Sequence, residues 1–178
     1  KEALVQKGFP ERILELAGLI KKTDQKYYDR FRGRIMFPLF DASGRVVAFS
    51  GRIFEDDPVH PQAKYLNSPE GPLFDKSRAL YGIHEAKNGA RELGCVMLVE
   101  GQVDLVLAHT VGFKSTVATS GTALTRSHAE LMKRYSNNIL LAYDGDRAGV
   151  DATRRASAIL IPLGMNVKVV ALPPGVDP

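Results

Sequence analysis

Two carboxylates separated by one glycine follow directly on a short run of apolar residues. Residues 139–142 are apolar and come after the turn residues Asn137 and Asn138, which favours a buried strand. Asp144 and Asp146 follow where this strand ends, and side chains two residues apart on an extended backbone point to the same side. Two hard oxygen donors in this arrangement suit Mg²⁺ or Mn²⁺. A solvated Asp-Gly turn is the alternative interpretation, and these residues alone do not separate the two.

Composition and charge limit the class of protein. The 178 residues carry 24 Lys and Arg against 20 Asp and Glu, a net charge of +4. No apolar run is long enough to cross a bilayer, and the first residues do not form a signal peptide. Cys95 is the single cysteine, which excludes an internal disulfide and a Cys-rich zinc site and fits a reducing cytoplasm. The histidines lack metal-ligand spacing, and we interpret all four as ordinary residues: His60, His84, His109 and His128.

The first half of the chain predicts a small basic unit. Residues 10–20 have the apolar spacing of an amphipathic helix, and residues 35–40 and 45–51 are β-prone runs joined by a turn, as in a hairpin. Cations interleaved with aromatic residues are typical of surfaces that contact phosphate and stack bases, although a solvated charged face is the alternative. The cations are Arg30, Arg32, Arg34, Arg52, Lys64, Lys76 and Arg78, and the aromatic residues are Phe31, Tyr65 and Tyr81.

The second half predicts a parallel sheet, because strand and helix patterns alternate strictly. We therefore expect a four-stranded, mainly parallel sheet with helices on both faces, and a boundary between the two halves near residues 90–94. Ser127 with Glu130 three residues later has the spacing of a capping box at the start of one helix. The predicted strands are residues 96–99, 115–118, 138–143 and 167–172, and two further predicted helices are residues 102–112 and 148–161.

Acidic residues follow three of the four predicted strands, and parallel strands all end at the same edge of a sheet. Glu100 follows the first strand and Asp177 the fourth, and Asp104 lies one helical turn beyond Glu100. Together with Asp144 and Asp146, these carboxylates would repel one another unless cations neutralise them. The cluster therefore predicts a divalent metal site, or raised pKa values in its absence, although each acid alone also fits a cap or a turn.

The motifs of both halves, taken in order, are similar to those of one family. Val99-Glu100-Gly101 with Asp104, followed by Asp144-Gly145-Asp146 within residues 143–149, resembles the Toprim domain. Bacterial DnaG-type primases share that domain with type IA and II topoisomerases and some nucleases. Residues 29–38, 64–70, 80–82 and 172–178 resemble motifs of the DnaG-type primases in particular. The resemblance covers almost the whole chain and implies an α/β Toprim domain at residues 93–178, preceded by a smaller α+β basic subdomain at residues 1–92.

The sequence departs from the family pattern in several places. Gln102-Val103 replaces the usual Tyr-Met, Ser50-Gly51-Arg52 replaces Gly-Gly-Arg, and the final motif stops at Asp177-Pro178 where the family continues to another Asp. The family's zinc-binding, C-terminal helical and helicase-binding parts have no counterpart in these 178 residues. We therefore expect a segment of a longer cytoplasmic protein of the replication fork, and the activity of the segment by itself stays open.

The resemblance implies a DNA-dependent RNA polymerase core that makes short RNA primers on single-stranded DNA. Mg²⁺ or Mn²⁺ would be the cofactor, and the partners would be template DNA, nucleoside triphosphates, the RNA primer and the replicative helicase, with no membrane. The implied catalytic residues are Glu100, Asp104, Asp144 and Asp146, and the implied metal ligands are Glu100, Asp144, Asp146 and Asp177. The implied nucleotide- and DNA-binding residues are Arg30, Arg32, Arg34, Arg52, Lys64, Asn67 and Lys76.

Other functions share some of these features. A Toprim nuclease or topoisomerase would cleave phosphodiester bonds with the same acids, but the basic half is similar to primases. A truncated core that binds DNA or nucleotide without turnover is a second alternative. A haloacid-dehalogenase-type phosphatase would carry its Asp-x-Asp motif after the first strand of its fold, whereas Asp144 and Asp146 follow the third predicted strand.

Overall fold

The computed structural model describes residues 1–24, 26–55 and 62–173, and these residues divide between two compact units. The first unit comprises Lys1–Leu39 and Val46–Asp75. The second comprises Phe40–Arg45 and the chain from Lys76 onward. The predicted combination of an α+β unit and a parallel α/β unit is confirmed. The second compact unit includes the chain from Lys76 because helix α3 (Ile83–Leu93) packs on its parallel sheet.

The first unit is built from two short helices and two small sheets. The predicted hairpin is confirmed, with a second strand that continues two residues further than expected. The helix predicted over residues 10–20 ends at Leu16, because Gly18 adopts a positive φ of 69° and Ile20 begins a strand. The elements are α1 (Glu2–Gln6), α2 (Glu11–Leu16), β1 (Ile20–Lys22), β2 (Tyr27–Asp29), β3 (Arg34–Phe40), β4 (Val46–Ile53) and β5 (Tyr65–Asn67). Strands β1 and β2 pair antiparallel, and the other three form a sheet of order β3-β4-β5.

The second unit contains a sheet of four strands, β6 (Val96–Val99), β7 (Thr116–Ala118), β8 (Asn138–Leu141) and β9 (Asn166–Val169). Their order is β7-β6-β8-β9, and every neighbouring pair is parallel. Strands β6 and β8 are nearly continuous apolar runs because both faces of the sheet are covered there, whereas the edge strand β9 is largely exposed. Leu98, Val117 and Leu141 are fully buried at the centre of the sheet. The helices between the strands are α4 (Gln102–Thr110), α5 (Arg126–Lys133) and α6 (Arg147–Leu160).

The ends of several predicted elements differ in the structure. The third and fourth predicted strands stop at Leu141 and Val169, short of the last apolar residues of each run. Among the described residues, no helix has the length and apolar character that a membrane span requires.

The cap of helix α5 also differs from the prediction. The capping residue is Thr125, whose side chain accepts from the backbone N–H of His128, so the predicted Ser127–Glu130 capping box is wrong. Glu130 instead forms an ion pair with Arg126 at 2.8 Å.

Helix α6 approaches the loop before it so closely that only glycine fits at one position. A Cβ atom on Gly149 would lie 2.1 Å from the backbone oxygen of Asp144, closer than van der Waals contact allows. Gly149 also donates its N–H to Asp146 Oδ1 at 2.7 Å, which caps the helix. The same glycine thus brings the start of α6 against both acids of the Asp144-Gly145-Asp146 motif.

Gly149→Ala should destabilise the protein even though alanine favours helix formation. Helix propensity alone predicts a gain of about 1 kcal/mol, whereas an overpacked contact costs about 1–3 kcal/mol and more when backbone atoms must move. We expect a net loss in the free energy of unfolding measured with urea. Val150→Ala, at an exposed position of the same helix, is the control and should change that free energy by less than about 0.5 kcal/mol. A more stable Gly149→Ala variant would contradict the close approach.

Candidate active site

Two carboxylates meet at the carboxyl edge of the parallel sheet. Strands β6 and β8 are parallel neighbours with Leu98 opposite Leu141, so Glu100 and Asp144 follow adjacent strand ends. The amide of Asp144 donates to the carboxylate of Glu100. The other side-chain oxygen of Glu100, Oε1, is buried and has no hydrogen-bond partner among the described residues. A buried carboxylate oxygen without a donor is costly unless a proton or a cation occupies it.

The electrostatics of Glu100 show that the predicted acids lie close together. Burial raises the pKa of Glu100 above its usual value, and the negative charge of Asp144 raises it further. The charges of Asp146 and Asp104 act in the same direction, while the amide of Asp144 partly opposes the shift. Burial and repulsion also raise the pKa of the neighbouring Tyr143, which is itself buried. The structure therefore places three of the predicted acids close enough to Glu100 for their charges to act on it. The fifth predicted acid, Asp177, lies outside the described residues.

The donors at this edge fit a hard divalent cation. Carboxylate oxygens are the ligands that Mg²⁺ and Mn²⁺ prefer, and Glu100 Oε1 offers one that no protein donor satisfies. Within the ranges that the structure describes, no three His, Cys, Asp or Glu side chains are grouped as a ready-made ligand set. A metal at this edge would therefore draw the carboxylates together rather than enter a preassembled cage.

Two of the acids also cap helices. Asp104 Oδ2 accepts from the backbone N–H of Gly101 at 2.9 Å at the start of α4, and Asp146 Oδ1 caps α6. A Cβ on Gly101 would lie 2.8 Å from Asp104 Oδ2, so the glycine makes room for this contact. The cap interpretation considered from the sequence is thus correct for both residues. Each carboxylate has a second oxygen, so capping and cation binding are compatible.

A residue that the sequence motifs did not single out adjoins Glu100. Ser120 has a φ of 56°, a conformation that residues other than glycine rarely adopt, and it is 6% exposed. Its backbone N–H donates to the carbonyl oxygen of Glu100 at 3.2 Å. Strained backbone of this kind persists only where the surroundings hold it, and it is common at functional sites. The sequence signal was the turn pair Ser120-Gly121 directly after a strand.

Two of the predicted DNA-binding arginines are engaged within the first unit. Arg30 donates from Nε and Nη2 to the carbonyl oxygen of Asn67 at 3.3 and 3.0 Å. Arg34 donates from Nη1 to the carbonyl oxygens of Gly51 and Ala63, both at 2.9 Å. A Cβ on Gly51 would lie 2.9 Å from Arg34 Cδ, so this glycine provides the space for the arginine. Both guanidinium groups therefore hold strands β4 and β5 and the residues before β5 in place.

Two of the other predicted nucleotide- and DNA-binding cations, Arg32 and Lys64, are exposed. Arg32 is exposed and lies over the ring of Tyr28, with Cζ 5.4 Å from the ring centroid. Arg52 lies over Tyr65 at 5.7 Å, a pairing that follows from their opposite positions in strands β4 and β5. Lys64 is exposed directly before β5. Lys76 belongs to the second unit, which also contains the acids.

Replacing Glu100 by glutamine should stabilise the protein in the absence of divalent cations. Because the pKa of Glu100 is raised in the folded state, stability falls as the pH rises from the unfolded-state pKa to the higher folded-state pKa, and the loss remains at higher pH. We expect Glu100→Gln to raise the melting temperature at pH 7–8 in chelator, and the gain to disappear near pH 4, where the carboxyl is protonated in both states. Glu92→Gln, at an exposed position of helix α3, is the matched control. An equal gain at both pH values would show that repulsion and burial of charge are not the cause.

Comparison with known families also divides the chain into two parts, between residues 87 and 97. Residues 1–87 match the family described as the DNA primase catalytic core, N-terminal domain, and residues 97–178 match the Toprim-like family. The DNA primase of Staphylococcus aureus strain COL is 42% identical over 177 residues, which is 98% of this chain. The same alignment covers 29% of that relative, so the chain spans less than a third of its length.

Solved structures of primases have the same fold. The crystal structure of the Aquifex aeolicus primase, with its zinc binding and RNA polymerase domains, is similar with a TM-score of 0.90 and 38% identity, covering 99% of this chain and 44% of that chain. A DnaG primase catalytic domain bound to single-stranded DNA is similar with a TM-score of 0.84 and 42% identity, covering 97% of this chain and 56% of that chain. Because the two domain matches follow in order and the primase similarity extends along nearly all of the sequence, this chain belongs to the DnaG-type primase family.

Proposed function

We propose that this chain is the part of a primase that synthesises RNA primers on single-stranded DNA by metal-dependent nucleotidyl transfer. The observation that carries the proposal is the buried, unpartnered oxygen of Glu100 beside Asp144 at the carboxyl edge of the Toprim-type sheet. Family membership supports the same activity. The relatives are more than three times as long as the aligned segment, so the activity is proposed for the protein that contains this chain.

The metal ligands would be Glu100, Asp144 and Asp146, and Asp177 is proposed from the sequence alone. When bound, Mg²⁺ or Mn²⁺ supplies charge neutralisation at the triphosphate and at the pyrophosphate leaving group. Asp146 would reach such a site from the N-cap position of α6, where the N–H of Gly149 binds its Oδ1. Asp104 contributes by holding the backbone after Glu100 through its contact with Gly101.

Glu100 is proposed as a metal ligand or, alternatively, as the proton acceptor of the reaction. The 3′-hydroxyl of the primer, or of the first nucleotide, attacks the α-phosphate of an incoming nucleoside triphosphate. The new P–O bond forms as the bond between the α-phosphate and the pyrophosphate oxygen breaks, and in the second role the Glu100 carboxylate accepts the hydroxyl proton. Without a bound cation the pKa of Glu100 is raised, so the carboxylate is a stronger base than an ordinary glutamate, whereas a cation on this carboxylate would lower its pKa and favour the ligand role.

Basic residues would bind the anionic substrates. We assign template or triphosphate contact to Arg32, Arg52, Lys64 and Lys76, with Asn67 in support. Arg30 and Arg34 hold strands β4 and β5, next to Arg52 and Lys64. The primase catalytic domain seen with single-stranded DNA supports the template as a partner. Nucleoside triphosphates and the RNA primer follow from the proposed reaction. The helicase would be contacted by another part of the longer protein, in the bacterial cytoplasm at the replication fork.

One experiment separates the candidate functions. The full-length protein is incubated with a single-stranded template, nucleoside triphosphates and Mn²⁺, and the products are resolved by length. RNA products that depend on template and metal support primer synthesis. Cleavage of the template indicates a Toprim nuclease, and DNA binding without either product indicates a binding module.

Asp144→Ala should abolish primer synthesis and leave binding of single-stranded DNA nearly unchanged. The reason is that the acids are proposed to bind the metal ion that contacts the nucleotide, whereas template affinity comes mainly from Lys and Arg side chains. Primer yield with Mn²⁺ and the dissociation constant for a labelled oligonucleotide are measured on the same preparation. Asp151→Ala, at a position further along α6 and away from the strand ends, is the control and should retain both activities. Equal loss of synthesis and binding in Asp144→Ala would refute this division of roles.

Lys64→Ala should weaken single-stranded DNA binding in a salt-dependent manner. Loss of one phosphate contact to a single strand lowers the slope of log K against log salt by about 0.7. The slope is measured by fluorescence anisotropy between low and physiological salt. Lys168→Ala removes an exposed lysine from strand β9 and serves as the charge-matched control, with an unchanged slope. An unchanged slope in Lys64→Ala would argue against contact with phosphate.

A further inference from the structure

The start of helix α5 is hydrogen-bonded to a segment about fifty residues earlier in the chain. His128 is completely buried, and its Nε2 lies 2.9 Å from the carbonyl oxygen of Lys76. The hydroxyl of Thr125 donates to the carbonyl oxygen of the next residue, Ser77, at 2.5 Å. Two side chains of one helix start therefore hold the backbone at Lys76 and Ser77.

The hydrogen bonds determine which tautomer of His128 is present. The backbone N–H of Thr125 donates to His128 Nδ1 at 3.2 Å, so Nδ1 carries no proton. The proton is then on Nε2, which donates to the carbonyl oxygen of Lys76. The neutral imidazole thus acts once as acceptor, to complete the helix cap, and once as donor, to hold Lys76. Both ring nitrogens are used, which explains a polar side chain without exposed surface.

The segment held in this way runs to the edge of the sheet that carries the acids. Tyr81 exchanges two backbone hydrogen bonds with Ala118, the last residue of β7, at 2.9 and 3.0 Å. Two residues beyond Ala118, the N–H of Ser120 donates to the carbonyl oxygen of Glu100. Residues 76–81 are therefore fixed at one end by α5 and at the other by β7, within the same unit as the acidic edge.

We propose that His128, assisted by Thr125, is a positioning residue that fixes the backbone of Lys76 so that its ammonium group binds the phosphates of the incoming nucleotide. The proposal rests on the proposed function, because it needs Lys76 to contact nucleotide. A lysine on a mobile segment would lose conformational freedom on binding, and a backbone fixed beforehand removes part of that cost. The second unit, which contains the acids, would then also supply the ammonium group that binds the nucleotide phosphates.

The test is a double-mutant cycle in the full-length protein, with KM for nucleotide and kcat measured in primer synthesis. His128→Met keeps the approximate size of the side chain and removes both hydrogen bonds. We expect it to raise KM about tenfold, as expected for loss of one charged contact, with kcat changed less. In a Lys76→Ala background, which by itself raises KM to a similar extent, His128→Met should raise KM no further.

His128→Gln is the matched conservative variant. Glutamine at this position of a helix accepts from the capping residue's N–H through its oxygen, and its amide nitrogen can donate to the Lys76 carbonyl. We expect KM within about twofold of the parent, because both hydrogen bonds are retained. Loss of a contact worth about 1.4 kcal/mol would instead raise KM tenfold. If His128→Met fails to fold by circular dichroism, Thr125→Val replaces it in the cycle and Thr125→Ser becomes its conservative partner.

The outcomes separate the two levels of the proposal. An equal rise in KM from His128→Met in the parent and in the Lys76→Ala background would overturn the positioning role and leave the function standing. Lys76→Ala without an effect on KM would overturn the nucleotide contact and the positioning role together. Absence of primer synthesis in the parent protein would instead refute the proposed function.

Discussion

The candidate site depends on the repulsion between carboxylates at adjacent ends of parallel strands. Parallel pairing of β6 and β8 places Glu100 and Asp144 at adjacent strand ends, where partial burial reduces the screening of their charges by water. This arrangement lowers the stability of the fold, because a buried carboxylate oxygen without a donor is costly. The cost is relieved by a proton or by a cation, which links the stability of this edge to the chemistry proposed for it.

Close backbone approaches at glycine hold the acids at this edge. Gly149 lets α6 begin against the backbone of Asp144, and Gly101 leaves space for the Asp104 carboxylate at the start of α4. In both cases the helix cap and the acidic site are the same group of atoms. The positions of the carboxylates are therefore determined by how the helices begin, and they do not depend on long flexible side chains.

The predicted basic residues of the first unit are of two kinds, those that bind backbone carbonyls and those that are exposed. Arg30 and Arg34 donate to backbone carbonyls and hold β4, β5 and the residues before β5, whereas Arg32 and Lys64 are exposed. Alternation of arginine with other residues predicted a binding surface but not this division. The number of carbonyl groups within reach of a guanidinium depends on strands distant in sequence, so composition cannot reveal it.

The sequence by itself determined the alternation of strands and helices, the hairpin, and the placement of acids after successive strands, because these depend on local periodicity and on the common edge of parallel strands. Local patterns were less reliable at the ends of elements, as the early end of the helix before Gly18 and the cap of α5 show. Only the tertiary structure decided which polar groups are paired. His128 had no distinctive spacing, yet it joins α5 to Lys76 across 52 residues, and Glu100 Oε1 is left without a donor. Hydrogen bonds between segments far apart in the chain leave no periodic signal, because each partner is chosen by geometry that exists only after the chain has folded.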